Sequence, residues 1–286
     1  MAFYPTSTSG LANTGLPAGP GVGGPTTTGN ASANTKGSYT QIVASTTFTS
    51  NSAVVSAMFG TNAIDGLAQL MDLATGAGGA ETVVIPNLAT DMARTGTGTA
   101  WACNFAAVLP WAVASGTRIA ARVQGNSGSR TISPNVQLVA AGSYTGISTF
   151  VDYGTNTADS GATQVDPGGT SNTKGAYSEL TASSSAVTQS LLVMVTWQGK
   201  TTAPATFANW AIDIATGSGG AEVVLMSDLR AAEIPCVSDT AAFNGRMQDF
   251  LTYIPAATRI AARASCNTND AANRLIDVGL IAGTAP

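Results

Sequence analysis

The sequence predicts an all-β chain: two tandem jelly-roll-like antiparallel β-sandwiches made by one internal duplication, with an extended N-terminal arm. The first observation behind this is a repeat. Asp72-Leu73-Ala74-Thr75-Gly76-Ala77-Gly78-Gly79-Ala80-Glu81 returns as Asp213-Ile214-Ala215-Thr216-Gly217-Ser218-Gly219-Gly220-Ala221-Glu222, and Thr117-Arg118-Ile119-Ala120-Ala121-Arg122 returns as Thr258-Arg259-Ile260-Ala261-Ala262-Arg263, both 141 positions later (72 to 213, 117 to 258). Self-similarity at a fixed spacing sets the number of structural units before any local reading is made. The second is a succession of short β-type runs punctuated by turn residues, the pattern of a sandwich. The third is period-two alternation: Trp210, Ile212 and Ile214 alternate with Asp213 between them, as do Ile119, Ala121 and Val123 with Arg118 and Arg122.

Taken in order, residues 1–33 are read as an arm. Runs such as Gly15-Leu16-Pro17-Ala18-Gly19-Pro20 exclude helix and interrupt sheet ladders, and the few apolar residues do not offset the ordering entropy alone. The arm is therefore expected to be pinned against something else. The first sandwich spans 34–142 and opens with Asn34-Thr35-Lys36-Gly37; its strands are expected near 39–43, 53–59, 68–73, 81–85, 101–109, 118–124 and 136–140. Residues 64–73 alone would also suit a helix, but the strict alternation in the second copy marks them as strand. Residues 143–171 form a linker, or second arm, expected to lie along the second sandwich. That sandwich spans 172–286 and opens with Asn172-Thr173-Lys174-Gly175, its strands near 193–197, 222–226, 249–254, 259–264 and 275–282. Residues 227–233 suit a turn of helix, and Ala282-Gly283 is read as the return of Ala141-Gly142.

Composition narrows the function. Charged residues are only 10% of the chain, against about 25% in an average soluble domain, so much of the surface is expected to be covered by partners. The twelve Lys and Arg are scattered and the formal charge is −4, which leaves no basic stripe for nucleic acid. The N-terminus does not read as a secretory leader, and no apolar run is long enough to span a membrane as a helix. There is no His, which removes Ser-His-Asp and Cys-His catalysis and imidazole metal sites. Cys103, Cys236 and Cys266 do not repeat with the duplication and read as small buried hydrophobes, with a Cys236–Cys266 bridge left open. No cofactor or metal is expected.

The Gly76–Gly79 and Gly217–Gly220 runs precede β-branched strands rather than helices, so they read as hairpin loops requiring positive φ rather than phosphate cradles. Asp72 and Asp213 are placed on the outward register beside the Arg pairs. They are expected to form cross-strand ion pairs, Asp72 with Arg118 or Arg122 and Asp213 with Arg259 or Arg263, with Glu81 and Glu222 as alternative partners. A glycosidase pair of carboxylates would need a raised pKa, which neighbouring Arg opposes. Trp101, Trp111, Trp197, Trp210, Tyr153 and Tyr253 are candidates for stacking on sugar rings, though core packing is the favoured use.

The hairpin motif at 72–81, the short strand Val83-Val84-Ile85-Pro86-Asn87-Leu88 and the segment leading into Thr117-Arg118-Ile119-Ala120-Ala121-Arg122 together resemble structural proteins of tailed-bacteriophage virions. The resemblance implies a non-enzymatic virion component built from jelly-roll-like sandwiches, located in head decoration, neck, tail or fibre. Its partners would be other virion proteins and further copies of itself, with no nucleic acid or membrane. The alternative is a carbohydrate-binding adhesin-type module recognising host-surface glycans.

Overall fold

The computed structural model describes residues 11–14, 25–59, 68–90, 105–140, 147–196, 208–234, 242–244, 248–271 and 274–284. All regular structure among them is β. The first half holds β1 (Leu11–Thr14), β2 (Thr27–Thr28), β3 (Thr40–Val43), β4 (Ser50–Phe59), β5 (Gln69–Thr75), β6 (Thr82–Ala89), β7 (Phe105–Leu109), β8 (Ile119–Gly125) and β9 (Thr131–Ala140). The second holds β10 (Thr149–Tyr153), β11 (Thr155–Asn156), β12 (Gly161–Val165), β13 (Ser178–Thr181), β14 (Thr188–Thr196), β15 (Asn209–Thr216), β16 (Val223–Ile234), β17 (Ala242–Asn244), β18 (Gln248–Ile254), β19 (Ile260–Cys266) and β20 (Ile276–Thr284).

Each half is an antiparallel sandwich. In the first, the β9 sheet runs β1-β9-β4-β7 with β2 also on β9, and the β8 sheet runs β3-β8-β5-β6. In the second, the β20 sheet runs β11-β12-β20-β14-β18 with β10 also on β20, and the β19 sheet runs β13-β19-β15-β16-β17. Ile119, Ala121 and Val123 turn inward from β8 to meet Val55, Val136 and Leu138 from the opposite sheet, and Ile260, Ala262 and Ala264 do the same from β19 against Leu191, Val193 and Leu280. This is the period-two burial the alternation predicts.

Neighbouring residues of β14 and β20 point into different cores. Leu191, Val193, Leu280 and Ala282 face the second core, while Leu192, Met194 and Ile281 join the first. The β20 sheet is therefore covered on both sides, by the β19 sheet and by β6 of the first half, which packs on β10, β14 and β20. A strand buried on both faces has no polar register, which accounts for the unbroken apolar runs 191–195 and 280–282 and for the burial of every residue of β20.

Several elements differ from the sequence reading. Residues 227–233 are part of the strand β16, not a helical turn; pairing with β15 outweighs their helical propensity. Within the stretch read as an arm, β1 and β2 hydrogen-bond to β9, so they extend the first sandwich's own sheet. The stretch read as a linker or second arm does lie along the second sandwich, where β10 and β12 pair with β20. The last strands correspond by a different offset from the one the Ala-Gly dipeptides suggest. Ser52 pairs with Val139 and Ser190 pairs with Gly283, so Val139, not Gly142, is the counterpart of Gly283. The longer loop before β20 than before β9 takes up the difference.

Candidate functional site

The polar residues that the duplication preserves assemble into the same cluster twice, on the outward faces of the β8 and β19 sheets. Asp72 stands directly across from Arg122 in the β5–β8 ladder, and Asp213 across from Arg263 in β15–β19. Arg122 Nε donates to Asp72 Oδ2 at 2.8 Å, and Arg263 Nε to Asp213 Oδ2 at 2.9 Å. The other carboxylate oxygen accepts from a lysine: Lys36 Nζ at 2.7 Å in the first copy, Lys174 Nζ at 2.6 Å in the second. Each lysine also donates to a strand carbonyl, Leu70 O at 3.0 Å and Ala211 O at 2.9 Å.

A bulge completes each carboxylate's shell. The β5–β6 register jumps from Met71↔Leu88 to Leu73↔Ile85, leaving Asp72 opposite two residues, and β15–β16 jumps likewise around Asp213. The Asn87 and Asp228 backbone N–H groups in the bulges donate to the aspartates at 2.9 and 3.0 Å. Both residues sit at positive φ (47° and 54°), a conformation that Asn and Asp tolerate better than other side chains with a Cβ. Arg122 and Arg263 lie over the Tyr39 and Tyr177 rings, 4.7 and 4.6 Å from the centroids.

The remaining arginines of the predicted set serve the hairpins. Arg118 Nη1 donates to Glu81 at 3.0 Å and Gly76 O at 3.1 Å, and Arg259 Nη1 to Glu222 at 3.0 Å and Gly217 O at 3.1 Å. Gly76, Gly79, Gly217 and Gly220 all have positive φ, as the hairpin reading requires. Arg118 also lines an open groove with Thr75, Ala77 and Gly116, but its Nε is taken by Gln41 at 3.0 Å.

Asp72 and Asp213 lie on the outward register beside Arg122 and Arg263, yet they are only 3% exposed. The chain carrying Lys36 and Tyr39, or Lys174 and Tyr177, folds over that face. Lys36 and Lys174 were not among the expected partners. Their signal was the repeated Asn-Thr-Lys-Gly itself: Asn34 and Asn172 take positive φ, and the N–H groups of Gly37 and Gly175 bond Val123 O and Ala264 O at 2.9 Å. Together these steer each lysine over the sheet.

The electrostatics run against acid catalysis. Burial pushes the Asp213 carboxyl up, but the hydrogen bonds from Lys174, the Asp228 N–H and Arg263 outweigh it and hold the group below the usual carboxylate value. Glu222 is held low by its own backbone N–H and by Arg259 and the Gly220 N–H, against a smaller effect of burial. For Glu81 burial acts upward and is outweighed by its own N–H, Arg118 and the Gly79 N–H. Burial pushes the Lys36 ammonium down, with Asp72 opposing. Among the described residues, no three Cys, Asp or Glu side chains are grouped to hold a metal ion.

The two clusters differ at the junction between the halves. Asn87 Nδ2 donates to Asp152 Oδ2 of β10 at 3.2 Å, whereas its counterpart Asp228 is largely exposed and pairs with Lys174 at 3.1 Å. Nearby, Gln124 Nε2 donates to Thr157 O at 2.8 Å and to Ser160 Oγ at 3.0 Å, and Ser160 Oγ donates to Asn34 Oδ1 at 2.8 Å. The segment between β11 and β12 is thereby fastened to the outer face of the first half.

Of the aromatic candidates, Trp111 and Trp210 are each 1% exposed, and Trp210 Nε1 donates to Arg274 O at 2.8 Å. Tyr153 is buried, with its hydroxyl 3.3 Å from Ser185 Oγ. Tyr253 is 69% exposed. Trp101, Trp197, Cys103 and Cys236 lie outside the described residues, and Cys266 is buried.

No family model matches the chain, and no curated protein matches it. Among solved structures, it is similar to PNGF-II at 10% identity and a TM-score of 0.37, covering 98% of this chain and 66% of that one. It is also similar to the N-terminal CBM22-1–CBM22-2 tandem domain of Paenibacillus barcinonensis Xyn10C, at 12% identity and a TM-score of 0.26, covering 98% of this chain and 94% of that one.

Proposed function

We propose that the chain is a non-enzymatic structural component of a tailed-phage virion, attaching in many copies to other particle proteins through its sheet surfaces. The observation that carries the attachment reading is where apolar side chains remain uncovered. Val223, Val224 and Leu225 on β16 and Leu251 and Tyr253 on β18 are exposed, Val223 to 68% and the last two to 69%. Three consecutive exposed apolar residues on β16, with two more on β18 at the edge of the other sheet, leave apolar surface of the kind that interaction sites use. The ionisable residues support the non-enzymatic part. Asp72, Asp213, Glu81 and Glu222 are committed to cations and backbone amides, which holds strands and hairpins together. The phage part rests on the resemblance of the repeated hairpin motif.

The test is co-purification. Intact particles carrying the chain at a fixed copy number per particle are the expected result; a chain absent from purified particles overturns the reading. The glycan-binding alternative loses Trp111 and Trp210 to the cores and keeps Tyr253 as its exposed aromatic. Binding of the isolated chain to a host polysaccharide, lost in Tyr253→Ala, would favour it.

A further inference from the structure

The fold contains one worked example of how its own surface is covered, because the first half uses a face that the second half also possesses. In the first half, β6 packs on β10, β14 and β20. At the adjoining edge the segment after β7 is bonded by the incoming chain: the Ala112 N–H donates to Ile147 O at 2.8 Å, and the Ile147 N–H to Pro110 O at 2.6 Å. The ladders identify the counterparts. Thr75↔Thr82 and Ala74↔Val83 match Thr216↔Val223 and Ala215↔Val224, so 82, 83 and 84 correspond to Val223, Val224 and Leu225. Ser50↔Val113 matches Thr188↔Ile254, so Pro110 and Ala112 correspond to Leu251 and Tyr253. Among the described residues six large apolar side chains are exposed, and five of them are these counterparts; of the matched first-half residues, Val83, Val84, Pro110 and Ala112 are half-buried, while Thr82, matched to Val223, stays exposed.

The receiving face has a counterpart too. Leu192↔Ile281 in the β20 sheet matches Val54↔Gln137 in the β9 sheet, and Met194 matches Ser56. Asp152, paired to Ile281, matches Asn13, paired to Gln137. Val54, Ser56 and Gln137 are half-buried and lie on the outward face of the β9 sheet, and exposed Val108 is paired to Val54.

We infer that the second half of one copy packs on the β9 sheet of the next copy, repeating head-to-tail the junction that already joins the two halves. The residue types at matched positions exchange in the way such a contact requires. Within the chain the small Ala89 meets the long Met194, its N–H 3.2 Å from Sδ; between chains a long Arg230 meets a short Ser56. A large residue and a small one trade sides, which keeps the volume of the contact. Because the two surfaces differ, the contact is heterologous and yields a ring if the rotation closes or a filament if it does not.

The inference rests on the attachment reading and names its partner as a second copy. It is tested by sedimentation velocity of the full chain over a range of concentrations, with two surface variants: Leu225→Glu on β16 and Val54→Arg on the β9 sheet. Wild type is expected to gain mass with concentration, and each variant alone to weaken self-association roughly 30-fold or more. An equimolar mixture of the variants retains one intact pair of surfaces and is expected to stop at a dimer containing one of each. A monomeric wild type at all concentrations overturns the inference, as does a mixture in which the variants remain monomers. A monomeric wild type overturns the inference even if a variant fails to fold, and the mixture is read only for variants whose circular dichroism matches wild type. A chain that stays monomeric yet is found in particles at fixed copy number leaves the attachment reading standing and removes this partner; a chain that self-associates but is absent from particles does the reverse.

Discussion

Met194 Sδ accepts the backbone N–H of Ala89 at 3.2 Å, so a strand of the second sandwich directly covers an edge strand of the first. Met194 is fully buried and belongs to the first half's core although its chain position is in the second. Met194→Ala is expected to cost about 3 kcal/mol, the usual range for deleting a buried long apolar side chain. Met194→Asp would place a charge at the junction, and calorimetry is expected to show one unfolding transition split into two. A single unshifted transition would show that the halves do not depend on this contact.

The duplicated aspartates should behave alike. Asp213→Ala leaves Lys174 and Arg263 facing each other without their shared anion, and Asp72→Ala does the same to Lys36 and Arg122. Each is expected to lower unfolding free energy by about 3 kcal/mol in denaturant titration, since the carboxylates are buried although the cations are partly solvated. A loss within about 0.5 kcal/mol, as for an exposed ion pair, would contradict this account.

The matched glycines Gly37 and Gly175 are constrained for a steric reason. A Cβ on Gly37 would lie 2.0 Å from Thr28 O, and one on Gly175 would lie 2.4 Å from Asp166 O. Gly37→Ala and Gly175→Ala must push the strap carrying β2 or its counterpart away from the sheet, at a cost of about 2 kcal/mol. Gly79→Ala meets no atom within 4 Å and bears only the strain of its positive φ. Its melting temperature is expected to fall less than that of either of the others.

Acid should loosen the fold in a definite window. The folded-state values of Asp213, Glu222 and Asp166 lie below their ordinary values of 3.8, 4.5 and 3.8. The stability they contribute is fully present above those ordinary values and is lost as pH falls through the lower folded ones, because the unfolded chain takes up protons first. Thermal melts are expected to be flat from pH 7 to about 5 and to decline steeply below about 4. For Asp213→Asn the decline should be shallower.

Removing residues 1–33 strips β1, β2 and the Gly29 N–H bond to Arg130 O (2.7 Å) from the first sandwich. Hydrogen exchange is expected to rise along β9 and stay unchanged along β19. Equal protection of β9 in the truncated chain would show that these strands contribute nothing to it.

The duplication, the all-β class, the hairpins and the inward registers of β8 and β19 were all legible in the sequence, because alternation and turn residues are local and the repeat resolved the ambiguous segment before Leu73. The ion-pair residues were legible as a set but not as a wiring: four arginines and four carboxylates admit several pairings, and only the ladders put Arg122 and Arg263 opposite aspartate and left Arg118 and Arg259 to the hairpins. Lys36 and Lys174 reach their aspartates across 36 and 39 positions, a closure that no periodicity encodes. The burial of both faces of β20 likewise depends on where the first half comes to rest, since an apolar run states that a strand is covered without stating by what. Local chemistry determined which segments become strands; long-range packing decided which faces they cover and which apolar side chains on β16 and β18 stay exposed.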